Sequence, residues 1–519
     1  MWLINTETLK LESVVNPETV EYAILSHTWE EEEVSFQEFQ DLRSARAKKG
    51  FSKIKKTCRL AKKHGYRYAW VDTCCIDKSS SAELSEAINS MFRWYKGAKR
   101  CYAYLSDYRQ TTIDRRFANC RWFTRGWTLQ ELIAPASLTF YNRYWDALGS
   151  KTELSDIISR ITRIQEAVLL SECDINTVNV VYRMSWAAGR KTTRPEDIAY
   201  CLFGIFDVNL PMLYGEGTKA FLRLQEEICQ QVHDLTLFAW KTDTDEEHRG
   251  IFARSPEEFA YASYVTLVYE PCSGDVRVSN RGVIFDDMEL MVVKGQGLFM
   301  PLNLFGKTIP DSTAYVSGGI FLEKTPDGYV RAKTTQLFPT ELDGRWLPLE
   351  PINVISRGVV AIKQAPMVYV STLDTITISN VCPRRQWDPY IGTLMGTERS
   401  MVELDVSLGN GQRYSLMALF IPPATDNPTL LHDIVDSKWH YWSNALANTG
   451  KASVASSWAA ALGDHFFKEG AGNQGEGMWL HPTPDSSIAV RVDVAKVERG
   501  WQVWISLSHD YPSRSVYSY

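Results

Sequence analysis

Between Tyr22 and Tyr141 short apolar runs alternate with amphipathic stretches, and this alternation limits the possible folds more than any other feature of the chain. Tyr22-Ala-Ile-Leu-Ser-His-Thr-Trp29 is an apolar run that ends in polar and aromatic residues, as suits a buried strand opening onto a loop. Phe51, Ile54, Cys58 and Ala61 then recur at spacings of three and four, with Gly65 placed to stop a helix. Tyr68-Ala-Trp-Val-Asp-Thr-Cys-Cys-Ile-Asp77 reads as a second strand. Ser80 and Glu83 make a capping-box pattern ahead of a helix that buries Leu84, Ala87, Ile88, Met91, Phe92 and Tyr95. Cys101 to Asp107 and Ser137 to Tyr141 read as third and fourth strands.

Such alternation implies a mostly parallel sheet covered on both faces, because parallel neighbours need crossovers. In a flavodoxin-like order, 2-1-3-4, ligands sit where strands 1 and 3 diverge at their carboxyl ends. Strand 1 exits through Ser26, His27 and Trp29. Asp72, Cys75 and Asp77 lie near the exit of strand 2, where an acid serves equally as a turn former or as a ligand group. After strand 3 comes Arg121-Trp-Phe-Thr-Arg-Gly-Trp-Thr-Leu-Gln-Glu-Leu-Ile-Ala-Pro135, with two tryptophans, two arginines and a single carboxylate, Glu131. On a helix Trp127 and Glu131 share a face. A carboxylate beside an indole is partly desolvated, which raises its pKa unless Arg121 or Arg125 pairs with it.

The charged segments nearby read as surface. Glu30 to Glu33 has the look of a solvated turn, and the ten Lys and Arg residues between Arg43 and Lys63 that of a solvated helix face, so no site is assigned to either. A net charge of -6 argues against nucleic acid as a partner. The amino terminus lacks a basic region followed by an apolar one, and no apolar run approaches the roughly 18 residues of a membrane span. The ten cysteines are scattered without metal spacing, so a cytoplasmic protein with reduced thiols and no bound metal is expected.

With 519 residues the chain exceeds one ordinary core, and three regions are expected: an α/β core over 1–150, a helical extension over 151–245 and a β-rich region over 250–519. Thr193-Arg-Pro-Glu196 starts a helix burying Ile198, Leu202 and Ile205, and Phe221, Leu224 and Ile228 form a second stripe. Gly215-Glu-Gly-Thr-Lys-Ala220 lacks the βαβ context of a dinucleotide fingerprint and reads as a helix-entry turn. Beyond the charged stretch Lys241 to Arg249, runs such as Arg277–Phe285, Met367–Thr372, Ser415–Ile421 and Ile488–Val494 predict a mainly antiparallel β domain, a sandwich being the arrangement expected. Gly306-Lys-Thr308 and Gly470 to Gly475 imitate phosphate-binding loops in letters only.

Four motifs in order, Tyr22 to Trp29, Trp70 to Lys78, Ala87 to Tyr95 and Arg121 to Glu131, resemble the fungal heterokaryon-incompatibility (HET) domain. The resemblance continues through Met184 to Ala188, Glu196 to Phe206 and Leu210 to Gly217, and covers roughly the first 240 residues. The chain departs from the family's usual glycine after the first tryptophan, where Glu30 stands. The family is associated with non-self recognition and the cell death that follows fusion of incompatible individuals. HET domains in turn resemble TIR domains, with a flavodoxin-like (TIR-like) α/β sheet, and Trp127-Thr-Leu-Gln-Glu131-Leu132 is similar to the TIR motif Trp-Cys-x-x-Glu-Leu. That resemblance implies NAD as a substrate rather than a resident cofactor, Glu131 as the catalytic acid, and NAD glycohydrolysis as the reaction. Around it, Trp29 and Trp127 would stack, Arg121 or Arg125 would meet the pyrophosphate, and Ser26, His27, Asp72, Cys75 and Asp77 would line the crevice. The alternative is a non-catalytic module that acts by assembling with itself or with other HET or TIR-like domains, its tryptophan-rich surface being an interface.

Overall fold

A computed structural model describes residues 1–244 without a break, most of 246–356, and beyond that the backbone of separate strands. Two compact units result. The first comprises Met1–Phe321, Arg331–Gly344 and Pro348–Ile352, the second Leu322–Val330, Arg345–Leu347 and Asn353–Tyr519.

A seven-stranded sheet organises the amino-terminal part of the first unit. Its strands are β1 (Trp2–Asn5), β2 (Leu11–Ser13), β3 (Tyr22–His27), β4 (Tyr68–Trp70), β5 (Arg100–Tyr104), β6 (Leu138–Tyr141) and β7 (Ala147–Ser150), in the order β2-β1-β4-β3-β5-β6-β7. The central four, β4-β3-β5-β6, are mutually parallel, and numbered along the chain as the first to fourth predicted strands they run 2-1-3-4. Ile24 is paired with both Trp70 and Cys101, so β3 lies at the middle. All six of its residues are buried, which is why its sequence is apolar without alternation.

The sheet is mixed rather than parallel throughout. β1 pairs antiparallel with β4 and β2, and β7 pairs antiparallel with β6. These additions escaped the sequence because strands of three or four residues carry too little periodicity to be seen, and antiparallel neighbours need only short connections. They also cover edges that would otherwise offer unpaired backbone groups. The second strand is shorter than its apolar run: after Trp70 the chain turns, with the Cys74 and Cys75 amides donating to the Val71 carbonyl at 3.2 and 2.9 Å.

Helices follow the predicted spacing where it is strong. After α1 (Phe36–Gln40) and α2 (Leu42–Ala47), α3 (Phe51–Lys63) buries Phe51, Ile54, Cys58 and Ala61 and ends before Gly65, whose φ of +87° favours glycine. α4 (Ser81–Gly97) is capped by the Ser80 hydroxyl, which accepts from the Glu83 amide, and it buries Ala87, Ile88, Met91, Trp94 and Tyr95. Two short helices follow β5: α5 (Arg121–Thr124) and α6 (Thr128–Ile133). All six α6 residues are buried.

Further along, the helix expected from Thr193 is two single turns, Asp197–Tyr200 and Phe203–Phe206, with Ile198 only half-buried. Lys219–Gln231 does bury Phe221, Leu224 and Ile228. The turn before it has Gly215 and Gly217 at positive φ, and their amides donate to one Glu196 carboxylate oxygen at 2.8 and 3.0 Å. Arg277–Phe285, read as one run, is a hairpin of Val276–Val278 with Gly282–Phe285.

In the second unit one sheet has six strands and another four. Within these two sheets the described strand pairs are antiparallel apart from Met367–Thr372 with Gly500–Ser508. Lys307, Thr308 and the Gly470–Gly475 stretch lie outside the described residues.

Candidate active site at the carboxyl ends of the parallel strands

Glu131 projects from α6 toward the carboxyl end of β3. Only 5% of it is exposed. Its carboxyl accepts a short hydrogen bond from the Ser26 hydroxyl, which in turn accepts from the Trp122 indole N–H at 2.8 Å. The Tyr95 hydroxyl bonds the same carboxyl as well as the Leu25 carbonyl at 3.0 Å. The bonds from Ser26 and Tyr95 favour the ionised form and so oppose the rise that burial causes. Burial pushes the Glu131 carboxyl from an ordinary 4.5 up to about 8, and the nearby Asp72 carboxylate adds to the rise. At neutral pH the group is mostly the neutral acid.

Arg121 and Arg125, either of which would hold the Glu131 pKa down by pairing with it, are engaged elsewhere. Arg121 pairs with Glu30 at 2.9 Å and donates its amide to Asp107 at 2.8 Å, while Arg125 donates to the Thr193 hydroxyl at 3.3 Å. Trp127 stands at the start of α6, half-buried, and its indole N–H reaches Asp197 at 3.4 Å. The sequence left out Arg190. It is buried, donates to the Arg125 carbonyl at 2.9 Å and to the Thr128 hydroxyl at 3.2 Å, and so braces the turn into α6. Gly126 permits that turn, since a Cβ there would sit 2.5 Å from Thr192.

A second acid lies beside the first. The Asp72 carboxylate accepts from the Trp29 indole N–H at 2.6 Å, and its other oxygen comes to 3.7 Å from His27. Burial pushes the His27 imidazole well below its ordinary range, with the charges of Lys53, Lys78 and Arg125 adding, so the ring is neutral and the approach is no ion pair. Neither ring nitrogen has a hydrogen-bond partner among the described residues. Cys75 and Asp77 belong to the turn instead. The Val71 amide donates to the Cys75 sulfur at 3.4 Å, and Asp77 accepts from Gln37 and from the Ser79 amide and hydroxyl.

Most of the charged side chains of Glu30 to Glu33 and of Arg43 to Lys63 are exposed, as expected, but Lys53 and Glu33 are not. Lys53, on the supposedly exposed face of α3, is buried against Glu33 in an ion pair. Glu30 accepts from Ser106 at 2.7 Å as well as from Arg121, so this side chain, in place of the glycine usual in the family, ties the loop after β3 to the segment after β5. The left-handed conformation in this loop falls at Glu32, with φ 61°, and Glu30 is free of that strain. Glu30, Glu33, Lys53, Tyr104 and Arg121 line a cavity of about 350 Å³, and a smaller one of about 190 Å³ lies beside Trp29 and Lys78. Glu131 lines neither. The pairing of Glu33 with Lys53 had no local signal, because the two lie in different elements 20 residues apart.

Among the described residues no group of three or more His, Cys, Asp or Glu is arranged to hold a metal ion, and no helix is long and apolar enough to cross a membrane.

Comparison with known proteins agrees with the motif order. Residues 22–120 match the family described as heterokaryon incompatibility protein (HET), a match that ends before Glu131, and residues 219–261 match a domain of unknown function. Over 221 residues the chain is 49% identical to the vegetative incompatibility protein HET-E-1 of Podospora anserina, a stretch that is 40% of this chain and 16% of that protein. The chain thus spans about a sixth of the length of the curated relative it matches. No solved structure matches. The amino-terminal part of this chain, from the central strand β3 through β5 to the segment that leads into α5, is similar to the heterokaryon incompatibility (HET) domain.

Proposed function

We propose that this chain acts in heterokaryon incompatibility through its HET domain, and that the domain hydrolyses the nicotinamide N-glycosidic bond of NAD at Glu131. The observation that carries the reading is the Glu131 carboxyl itself: buried at the carboxyl end of the central parallel strand, held by Ser26 and Tyr95, and in no ion pair with an arginine among the described residues. The 2-1-3-4 order of the four parallel strands agrees with that of flavodoxin-like sheets, which bind ligands at the carboxyl ends of such strands, and this supports a TIR-like reading of the domain. Cleavage lets nicotinamide leave with the bonding pair while C1′ of the ribose gains oxocarbenium character; water then adds there and loses a proton. An ionised Glu131 stabilises that positive charge or fixes the ribose hydroxyls.

The direct test compares nicotinamide release by the wild-type chain and by Glu131→Gln. Removing a positioned carboxylate costs about 10² to 10⁴ in rate. Equal rates sink the role of Glu131.

One observation favours a second reading. Glu131 is 5% exposed and lines neither cavity described above, as befits a purely structural acid in a domain that signals by assembly. Retained toxicity in cells without nicotinamide release by the wild type selects that reading.

A further inference from the structure

The cavity of about 190 Å³ beside Trp29 combines groups that the fold itself leaves unmatched. Thr73 is 2% exposed, and its hydroxyl has no hydrogen-bond partner among the described residues. One Glu33 carboxylate oxygen is likewise buried without a partner among the described residues, while the other is taken by Lys53. Lys78 makes no ion pair among the described residues; its ammonium lies 3.7 Å from the centroid of the Trp29 ring. Of the carboxylates around it, Asp77 is engaged by Gln37 and Ser79, while Asp72 accepts from the Trp29 indole through one oxygen and its other oxygen is buried with no hydrogen-bond partner among the described residues. Trp29 and Phe36 supply apolar wall.

An unmatched cation calls for an anion, and buried acceptors call for hydroxyl donors. Drug-sized ligands need roughly 300 Å³ or more, so this volume takes a fragment rather than a whole dinucleotide. We infer that the cavity between Trp29, Thr73 and Lys78 is a binding site for a sugar phosphate: its phosphate meets Lys78, its hydroxyls meet Thr73 and Glu33, and its carbon face rests on Trp29 and Phe36. The free sugar phosphate and the ribose phosphate arm of a nucleotide share this chemistry. The site stands on its own residues and does not depend on hydrolysis at Glu131.

Calorimetric titration of the full chain with ribose 5-phosphate and with ADP-ribose tests it. Lys78→Met keeps the stem against Trp29 and removes the charge, so affinity falls roughly 10- to 100-fold, the loss of one charge-assisted hydrogen bond. Lys78→Arg recovers most of it, which separates a binding role from a folding defect. Thr73→Val, isosteric and without the hydroxyl, weakens binding several-fold, and inorganic phosphate binds more weakly than either sugar phosphate. Tight ADP-ribose binding with weak ribose 5-phosphate binding, both dependent on Lys78, identifies the nucleotide as the source. The inference is overturned if Lys78→Met binds both ligands as the wild type does, or if neither ligand binds the wild type at millimolar concentration. Binding that depends on Lys78 in a chain that releases no nicotinamide upholds the site and rejects the hydrolase, so the two proposals fail separately.

Discussion

Replacing Glu131 by glutamine is predicted to stabilise the protein at neutral and alkaline pH, and the size of the gain follows from the buried network. The folded state holds this carboxyl at about 8 against 4.5 for an ordinary glutamate, so the protonated group's stabilisation is complete below pH 4.5 and is lost as pH rises through about 8. At 1.36 kcal/mol per pKa unit, the loss reaches about 3 kcal/mol by pH 7 and roughly 5 kcal/mol on full ionisation. Glutamine reproduces the neutral acid. Its carbonyl accepts from Ser26, and it has no proton to lose. Urea unfolding of both proteins at pH 5, 6, 7, 8 and 9 isolates the effect, because every other titrating group cancels in the difference. The stability of the variant relative to wild type should climb by about 1.4 kcal/mol per pH unit from pH 5 to 8 and then level off. A difference that stays flat with pH, or a variant less stable than wild type at pH 8, refutes the assignment of a protonated Glu131.

Other perturbations follow from the same geometry. Ser26→Ala leaves the buried Trp122 indole without an acceptor and Glu131 without a donor, at about 1–3 kcal/mol per orphaned group, readable as a lower urea midpoint. Lys53→Met strands a Glu33 carboxylate that is largely buried, costing about 3–5 kcal/mol, and adding Glu33→Gln should return most of that in a double-mutant cycle. Gly204→Ala gains up to ~1 kcal/mol of helix propensity but places a Cβ 2.0 Å from that of Phe92, so overpacking of about 1–3 kcal/mol wins and the melting temperature falls. If the ionised Glu131 is the catalytic form, nicotinamide release climbs about tenfold between pH 7 and 9 as the group titrates near 8; a rate that falls over that range assigns the acid form instead.

Much of the amino-terminal architecture was legible before any coordinates. β3, α3, α4 and the stripe of Lys219–Gln231 each carry enough residues in one period for burial to be read from spacing, and the Ser80 cap is a local signal. Periodicity failed where elements are short, as at β1, β2 and β7, and where single turns replaced the expected helix after Thr193. Charge patterning failed at Lys53 for a different reason. A lysine on a helix face is solvated unless a carboxylate from another element meets it, and nothing within the helix announces Glu33.

Composition and spacing by themselves placed Ser26, Trp29 and Asp72 near the ends of strands and Glu131 on the segment that leaves the third, and motif order supplied the resemblance to a family. They do not decide which partner each side chain takes. Ser26 and Glu131 are 105 residues apart, and only the packing of α6 against the sheet and α4 joins them, removes Glu131 from water and leaves Arg121 to other carboxylates and Arg125 to Thr193. Secondary structure is written in short-range periodicity, which a sequence displays directly. The protonation state of a carboxyl is set by the dielectric and the donors around it, and those arrive from strands and helices that meet only in the folded chain.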